Sequence, residues 1–333
     1  MYPIWGDGLL TTTDNHWEKK RRSVREILPL GMPNAHETLL EDHVRSMLNR
    51  WEEIGVNNIE IFSEFKWLVF RILCSVLLNG KTSHQNRCLK AEMDSLNTEV
   101  ARLRLSYFLM PDSYHKDRQN LDSQTRKFLL QAIQEVKEKR ESNQELEQIC
   151  GEILGLLLVG YETTASLLTW AYYSFLSAER DRLFDQSFDS IHSPEYRRAV
   201  LQETLRLYPP AYLIRRVVTE NFCLSGFNLK QGDPVYIPIF SIHRHNSYWN
   251  DPNVFNPDRF APGEKCESSK HYLPFGKGPR MCVATAFVMQ ISDIVMKIIF
   301  DSKFAKVNLR NSVHPKFNLV LEPHREIEIT RPV

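Results

Sequence analysis

"PFGKGPRMCVATAF" (residues 274–287) sets a single cysteine, Cys282, between a glycine-proline loop and an apolar run. The chain has 333 residues and only 13 glycines, yet Gly276 and Gly278 both stand just ahead of Cys282, followed by Arg280. An isolated cysteine is most often a small buried hydrophobe. After this one, Ala284, Phe287, Val288, Ile291, Val295 and Ile298 recur at helical spacing, which predicts a helix over 283–300. Cys282 then lies at a helix N-terminus, where free N–H groups and the macrodipole favour a thiolate. Gly276 and Gly278 let the backbone fold tightly around the sulfur and aim amides at it. Phe275 is placed to shield one side, and Arg280 to reach an anionic group.

A lone thiolate in an amide-lined loop suits an axial metal ligand, haem iron in particular, where thiolate donation favours O–O cleavage. A cysteine nucleophile is the competing chemistry and needs a positioned histidine base. The chain has 11 histidines, and the sequence does not show which of them, if any, stands beside Cys282. The other cysteines (74, 88, 150, 223 and 266) are scattered without CxxC or finger spacing. That argues against a disulfide framework or a structural zinc site and fits a reducing compartment. A net charge of +1 gives no signal for nucleic acid or an acidic partner.

Proline divides the chain. Between Asn34 and Ser193 there is one, Pro111, and thirteen follow from Pro194 onward. The first part reads as mostly helical, the second as short helices, loops and strands. Helices are expected near 14–28, 35–54, 58–79, 87–107, 119–141, 144–178, 194–207 and 283–300. "FCLSGFNLKQGDPVYIPIF" (222–240) reads as a hairpin turning at Gln231, Gly232 and Asp233. Residues 153–178 are long enough to span a membrane, but Glu162, Thr163, Thr164 and Ser166 sit at their centre. A carboxylate there argues for a core helix instead. No signal peptide is expected ahead of the first helix. The expected fold is one mixed domain over 1–333, mainly α with small β-sheets, its residues 1–193 mostly helical and 194–333 mixed.

The motifs together resemble the cytochrome P-450 superfamily of haem-thiolate monooxygenases. Phe275, Gly276, Gly278, Arg280, Cys282 and Ala284 match its cysteine-ligand signature at every specified position. "ETLRLYPP" (203–210) and "FNPDRF" (255–260) resemble the segments that supply Glu203, Arg206 and Arg259, a structural triad of mutually paired buried ions. "GYETTAS" (160–166) resembles the oxygen-activation motif. There the resemblance implies that Gly160 makes room for dioxygen over the haem, with Thr163 and Glu162 serving proton delivery. Val159 stands where the family commonly has Ala or Gly and adds bulk. In "WEKKRR" (17–22), Trp17 and Arg21 match residues that grip a haem propionate, and in "PPAYLIRR" Arg216 (or Arg215) matches a further such contact. Arginine's planar fork suits carboxylates.

The implied cofactor is haem b with Cys282 as iron ligand. The implied reaction inserts one atom of O2 into an apolar or partly apolar small molecule. Two electrons come from a ferredoxin or flavoprotein, which Lys19, Lys20, Arg22, Lys265 and Lys277 could help dock. Two alternatives stand beside it: peroxide-driven or non-oxygenating haem-thiolate chemistry, such as dehydration or rearrangement, and a degenerate haem-binding or interaction protein. The resemblance begins at Trp17, without the family's usual N-terminal strands, and residues 164–203 are shorter than usual. A truncated, bacterial-type, cytoplasmic member without membrane attachment is expected. The 235–239 strand edge would then be unpaired and covered by a second copy, a partner or the rearranged N-terminus.

Overall fold

The computed structural model describes residues 9, 12, 16–28, 34–77, 94, 146–180, 191–263 and 270–330. Of the features expected from sequence, the 87–107 and 119–141 helices (Asp94 apart) and Lys265 lie outside these residues. The helices are α1 (His16–Ile27), α2 (Asn34–Ile54), α3 (Ile61–Leu77), α4 (Leu146–Arg180), α5 (Pro194–Leu207), α6 (Ile239–Ile242) and α7 (Thr285–Phe300). The strands are β1 (Ile214–Val217), β2 (Phe222–Leu224), β3 (Phe227–Leu229), β4 (Pro234–Ile237), β5 (Asn308–Leu309), β6 (Pro315–Phe317), β7 (Leu321–Pro323) and β8 (Ile329–Thr330). Among the described residues they form two-stranded antiparallel ladders: β1 with β4, β2 with β3, β5 with β8 and β6 with β7.

Helix α4 is the axis of the core, packed against α3, α5, α7, β5 and β7. Leu157, Leu158, Tyr161, Ala165, Leu168 and Trp170 are buried on all sides of it, as a helix enclosed by protein requires. Its polar centre anchors the C-terminal hairpin. Ser166 Oγ and Trp170 Nε1 both donate to the Leu321 carbonyl, at 2.6 and 2.9 Å, and Tyr172 donates to Phe304 O at 2.8 Å. Among the described residues, no helix is long and apolar enough to cross a membrane. An aromatic nucleus joins α2, α3 and α4: Trp51 lies edge-on to Phe304 at 5.2 Å and to Phe65 at 6.1 Å. Glu64 enters this nucleus because Arg50 and Trp51 Nε1 donate to it.

Helix α5 begins where its capping signals stand, with Ser193 accepting from Tyr196 N at 3.3 Å and Pro194 at the first turn. It ends before Pro209 and Pro210, which cannot continue a helix. Tyr208 then stacks on Trp170 of α4, with centroids 4.1 Å apart. Arg197 makes a forked pair with Asp293 of α7, at 2.7 and 3.3 Å.

The expected hairpin over 222–240 is different in the structure. The tight turn falls at Ser225 and Gly226, both with positive φ (50° and 86°), and joins β2 to β3. That is the backbone a two-residue hairpin of matching twist needs, and Ser-Gly supplies it. Residues 231–233 do turn, with Gly232 at φ 94°, but they lead into β4, which pairs with β1. The expected open edge over 235–239 is also shorter. Pro234–Ile237 is paired along one side by β1, and the chain enters α6 at Ile239.

Candidate active site

The Cys282 loop is closed by two left-handed glycines, Gly276 at φ 72° and Gly278 at φ 77°. A side chain in that region of backbone is strained, which explains glycine at both positions. Gly276 N donates to Leu273 O at 3.0 Å, Met281 N to Gly278 O at 3.0 Å, and Cys282 N to Phe275 O at 2.9 Å. These bonds return the chain on itself and leave Cys282 half-buried. Phe275 is partly buried against the core. Helix α7 starts at Thr285, with Ala284 as cap, two residues later than the expected 283, so Cys282 stands in the loop ahead of the helix rather than at its N-terminus. Burial raises the thiol above its usual range. The Ala284 amide, the Thr285 hydroxyl and Arg21 pull it down, as groups that favour a thiolate do. Burial is the larger effect and outweighs the expected stabilisation of the thiolate.

Helix α1 flanks this loop. Arg21 Nη1 donates to Met281 O at 2.7 Å, and burial, then Arg25, lowers the Arg21 pKa. The Arg280 guanidinium lies over the Trp17 ring, 4.4 Å from its centroid, and donates to Thr12 O at 2.9 Å. Trp17, Arg21 and Arg280 thus gather beside Cys282. On β1, Ile214 and Arg216 share a face because strand side chains alternate. Ile214 Cδ1 lies 3.7 Å from where a Cβ on Gly276 would sit, so this face is the one turned to the loop. Arg216 shares that face of β1 and is exposed, its Nη1 donating to the Arg215 carbonyl at 3.0 Å, whereas Arg215 falls on the opposite face. Of the basic residues expected on a docking face, Lys19, Arg22 and Lys277 are exposed. Lys20 is buried on α1 and does not belong with them.

Glu203, Arg206 and Arg259 meet. The two carboxylate oxygens of Glu203 accept from Arg206 Nε and Nη2, both at 2.7 Å, and Oε1 also accepts from Arg259 Nε at 3.3 Å and Asn256 N at 2.9 Å. Arg206 Nη1 donates to the carbonyls of His243 (2.8 Å) and Pro252 (2.7 Å), and Nη2 also donates to Val254 O at 3.1 Å. All five guanidinium N–H groups therefore have an acceptor, which is how a fully buried arginine is accommodated.

On α4 the half-buried positions Leu156, Val159, Gly160 and Thr163 fall at i, i+3, i+4 and i+7 and form one stripe, with Glu162, also half-buried, beside it. Thr163 Oγ1 donates to Val159 O at 2.7 Å and lies 3.4 Å from Gly160 O. Gly160 faces α3. A Cβ there would lie 3.1 Å from Leu73 Cδ1, so its missing side chain lets α3 approach α4 closely. One residue escapes the sequence reading. His243 is fully buried and accepts from Leu273 N at 2.8 Å, at the entrance to the Cys282 loop. The available signal is a histidine directly after the apolar stretch that ends in α6.

The comparisons with known proteins agree with this geometry. A family model described as Cytochrome P450 matches residues 109–329, well over half of the chain. A cytokinin hydroxylase of Arabidopsis thaliana is 25% identical over 373 residues, covering 97% of this chain and 71% of its own. Cytochrome P450 3A12 of Canis lupus familiaris is 31% identical over 202 residues, 54% of this chain and 40% of its own. Among solved structures, a six-coordinated cytochrome P450 from Thermus thermophilus superposes with a TM-score of 0.74 at 23% identity, covering 99% of this chain and 84% of its own. The sequence relatives named here are plant and mammalian, so they lend no support to a bacterial-type origin. A cysteine loop closed by glycines, a triad of buried ions and a core helix carrying Glu162 and Thr163 thus stand in a chain that belongs to the cytochrome P450 family, whose members are monooxygenases holding haem through a cysteine thiolate.

Proposed function

We propose that Cys282 is the iron ligand of a monooxygenase that inserts one oxygen atom into an apolar or partly apolar small molecule. Its two electrons come from a separate ferredoxin or flavoprotein. The observation that carries this reading is the Cys282 loop, whose glycine turns hold the sulfur half-buried beside the Ala284 amide, the Thr285 hydroxyl and Arg21. Two other cysteines do not fit the task. Burial pushes Cys74 up to about 12 inside the α3 core, and Cys223 is exposed on β2. The donor set fits haem: a soft anionic ligand, with Arg21, Arg280 and Arg216 at hand as planar forks for carboxylates.

When bound, haem supplies the redox chemistry and dioxygen activation that no side chain here provides. The chain's own residues orient and protonate. Trp17 backs the Arg280 guanidinium and fixes its plane. The Thr163 proton is directed at the Val159 carbonyl, so the hydroxyl oxygen is left to accept a hydrogen bond at the α4 stripe. Glu162, next along the helix, is the group that exchanges protons with solvent. The whole chain, 1–333, works as one haem-thiolate domain in the cytoplasm. Oxygen insertion is favoured over dehydration or rearrangement because the Arabidopsis relatives are hydroxylases by name.

The test is Cys282→Ala. The reduced carbonyl complex of the parent protein should show the red-shifted Soret band of thiolate ligation, and the variant should lack it. A variant that keeps the band, or a parent that takes up no haem under haem-replete expression, overturns the reading.

A further inference from the structure

We propose that His243 is a positioning residue for the thiolate loop: as the neutral Nδ1–H tautomer, its imidazole splints the Cys282 loop to the buried Arg206 through one hydrogen bond on each ring nitrogen. The inference rests on Cys282 being the iron ligand.

The geometry dictates the tautomer. Nδ1 lies 3.1 Å from the Arg206 carbonyl, which can only accept, so Nδ1 carries the hydrogen. Nε2 lies 2.8 Å from the Leu273 N–H, which can only donate, so Nε2 must be bare. The tie to Arg206 is reciprocal, because Arg206 Nη1 donates to the His243 carbonyl at 2.8 Å. On the other side, Leu273 O accepts from Gly276 N, and Phe275 O accepts from Cys282 N. A short chain of hydrogen bonds therefore runs from the salt bridge to the sulfur-bearing residue. Tyr272 stacks on the imidazole at 5.6 Å and Trp249 meets it edge-on at 6.3 Å, which fixes the ring plane.

A second proton on this ring would abolish the acceptor that Leu273 N–H uses and place two donors face to face. The surroundings keep that proton away. Burial is the largest cause, and the Arg206 and Arg244 guanidiniums act the same way. They outweigh the Arg206 and Leu205 carbonyls and hold His243 down to about 3. Glu203, the carboxylate of the adjoining triad, is taken up by Arg206 and Arg259. In an opened loop the ring returns to its ordinary value near ~6.5, so opening should become about tenfold easier per pH unit from there down towards 3.

The haem-loaded full chain tests this with two variants. In His243→Asn, the side-chain amide can still donate to Arg206 O but ends short of Leu273. In His243→Gln, the amide oxygen reaches the Nε2 position. Amide exchange at Leu273 should speed up about tenfold or more in the Asn variant and stay within about threefold of the parent in the Gln variant, the scale of one net hydrogen bond. The red-shifted carbonyl band should follow, weakened by Asn and rescued by Gln. Once the intrinsic pH dependence of amide exchange is divided out, an acid-driven loss of protection at Leu273 should be present in the parent and absent from the Gln variant. Asn and Gln variants that both match the parent overturn the proposal. Equal damage in both also overturns it, because it shows only a packing role. A parent without the red-shifted band refutes the Cys282 reading instead, and Leu273 exchange then still decides whether His243 holds the loop.

Discussion

Replacing Glu203 by glutamine removes one charge and almost no volume from the centre of the ion triad. Both Glu203 and Arg206 are 0% exposed, so neither can turn to water. A glutamine amide has one acceptor where Glu203 has two, and its NH2 must face donors already in place on Arg206. The Arg206 charge is left without a carboxylate partner, which costs about 3–5 kcal/mol in a buried site. Over 333 residues, with an unfolding entropy of ~2.1 cal/mol/K per residue, that corresponds to a fall of about 4–7 °C in Tm. Arg206→Met should be worse, because it strands the His243, Pro252 and Val254 carbonyls as well as Glu203. Arg259→Ala should be mildest, since that side chain is 12% exposed and reaches Glu203 at 3.3 Å. Equilibrium urea unfolding followed by circular dichroism ranks the three. The Glu203→Gln/Arg206→Met double variant should fall short of additivity by about 0.5–3 kcal/mol, as paired residues do. Additive losses, or a Glu203→Gln variant within about 1 kcal/mol of the parent, would refute the reasoning.

Gly160→Ala should fold, with overpacking of about 1–3 kcal/mol against Leu73 partly offset by ~1 kcal/mol of helix propensity, and keep its ratio of product to electrons consumed. A collapse of that ratio would assign Gly160 to the oxygen site. Thr163→Val should retain haem but lose product per electron, up to the ~10²–10⁴-fold that proton-transfer assistance is worth, and Thr163→Ser should restore it. Undiminished product from the valine variant removes the hydroxyl from the mechanism. Stability should decline as pH falls below the ordinary histidine value. His43 is lowered to about 4 by burial and Arg71, and His243 to about 3, so the unfolded chain binds more protons in that window. A flat urea midpoint between neutrality and about pH 4 contradicts both shifts.

Much of the helical frame can be read from spacing, because an apolar stripe marks a helix even when its partner is unknown. The start of α5 is legible from Ser193 and Pro194, whose capping roles are local. The glycine turns around Cys282 are legible for the same reason. Strand pairing is not. Gln231–Gly232–Asp233 does turn, yet β4 chooses β1 over β3, and a turn's chemistry does not say which strands it brings together. The Ser225–Gly226 dipeptide is the better hairpin signal, since both residues have to take positive φ. The packing of Gly160 against Leu73 stays hidden because the two are remote in sequence. His243 stays hidden because its two partners, Arg206 O and Leu273 N, are main-chain groups that leave no mark on the residues bearing them. The triad stands out because its members are charged and an ion left unpaired in the core would be untenable.

The grip of Ser166 and Trp170 on the Leu321 carbonyl sets a schedule for biosynthesis. Ser166 is separated from Leu321 by 155 positions. At ribosomal rates of ~5–20 residues per second, the core helix waits about 8–30 s for the acceptor that satisfies its buried hydroxyl and indole. Throughout that interval the helix at the axis of the core has no complete home. A pause or stop codon late in the message therefore leaves a nearly finished polypeptide with its central helix unsatisfied, a natural substrate for chaperones and proteases rather than a slightly weakened enzyme.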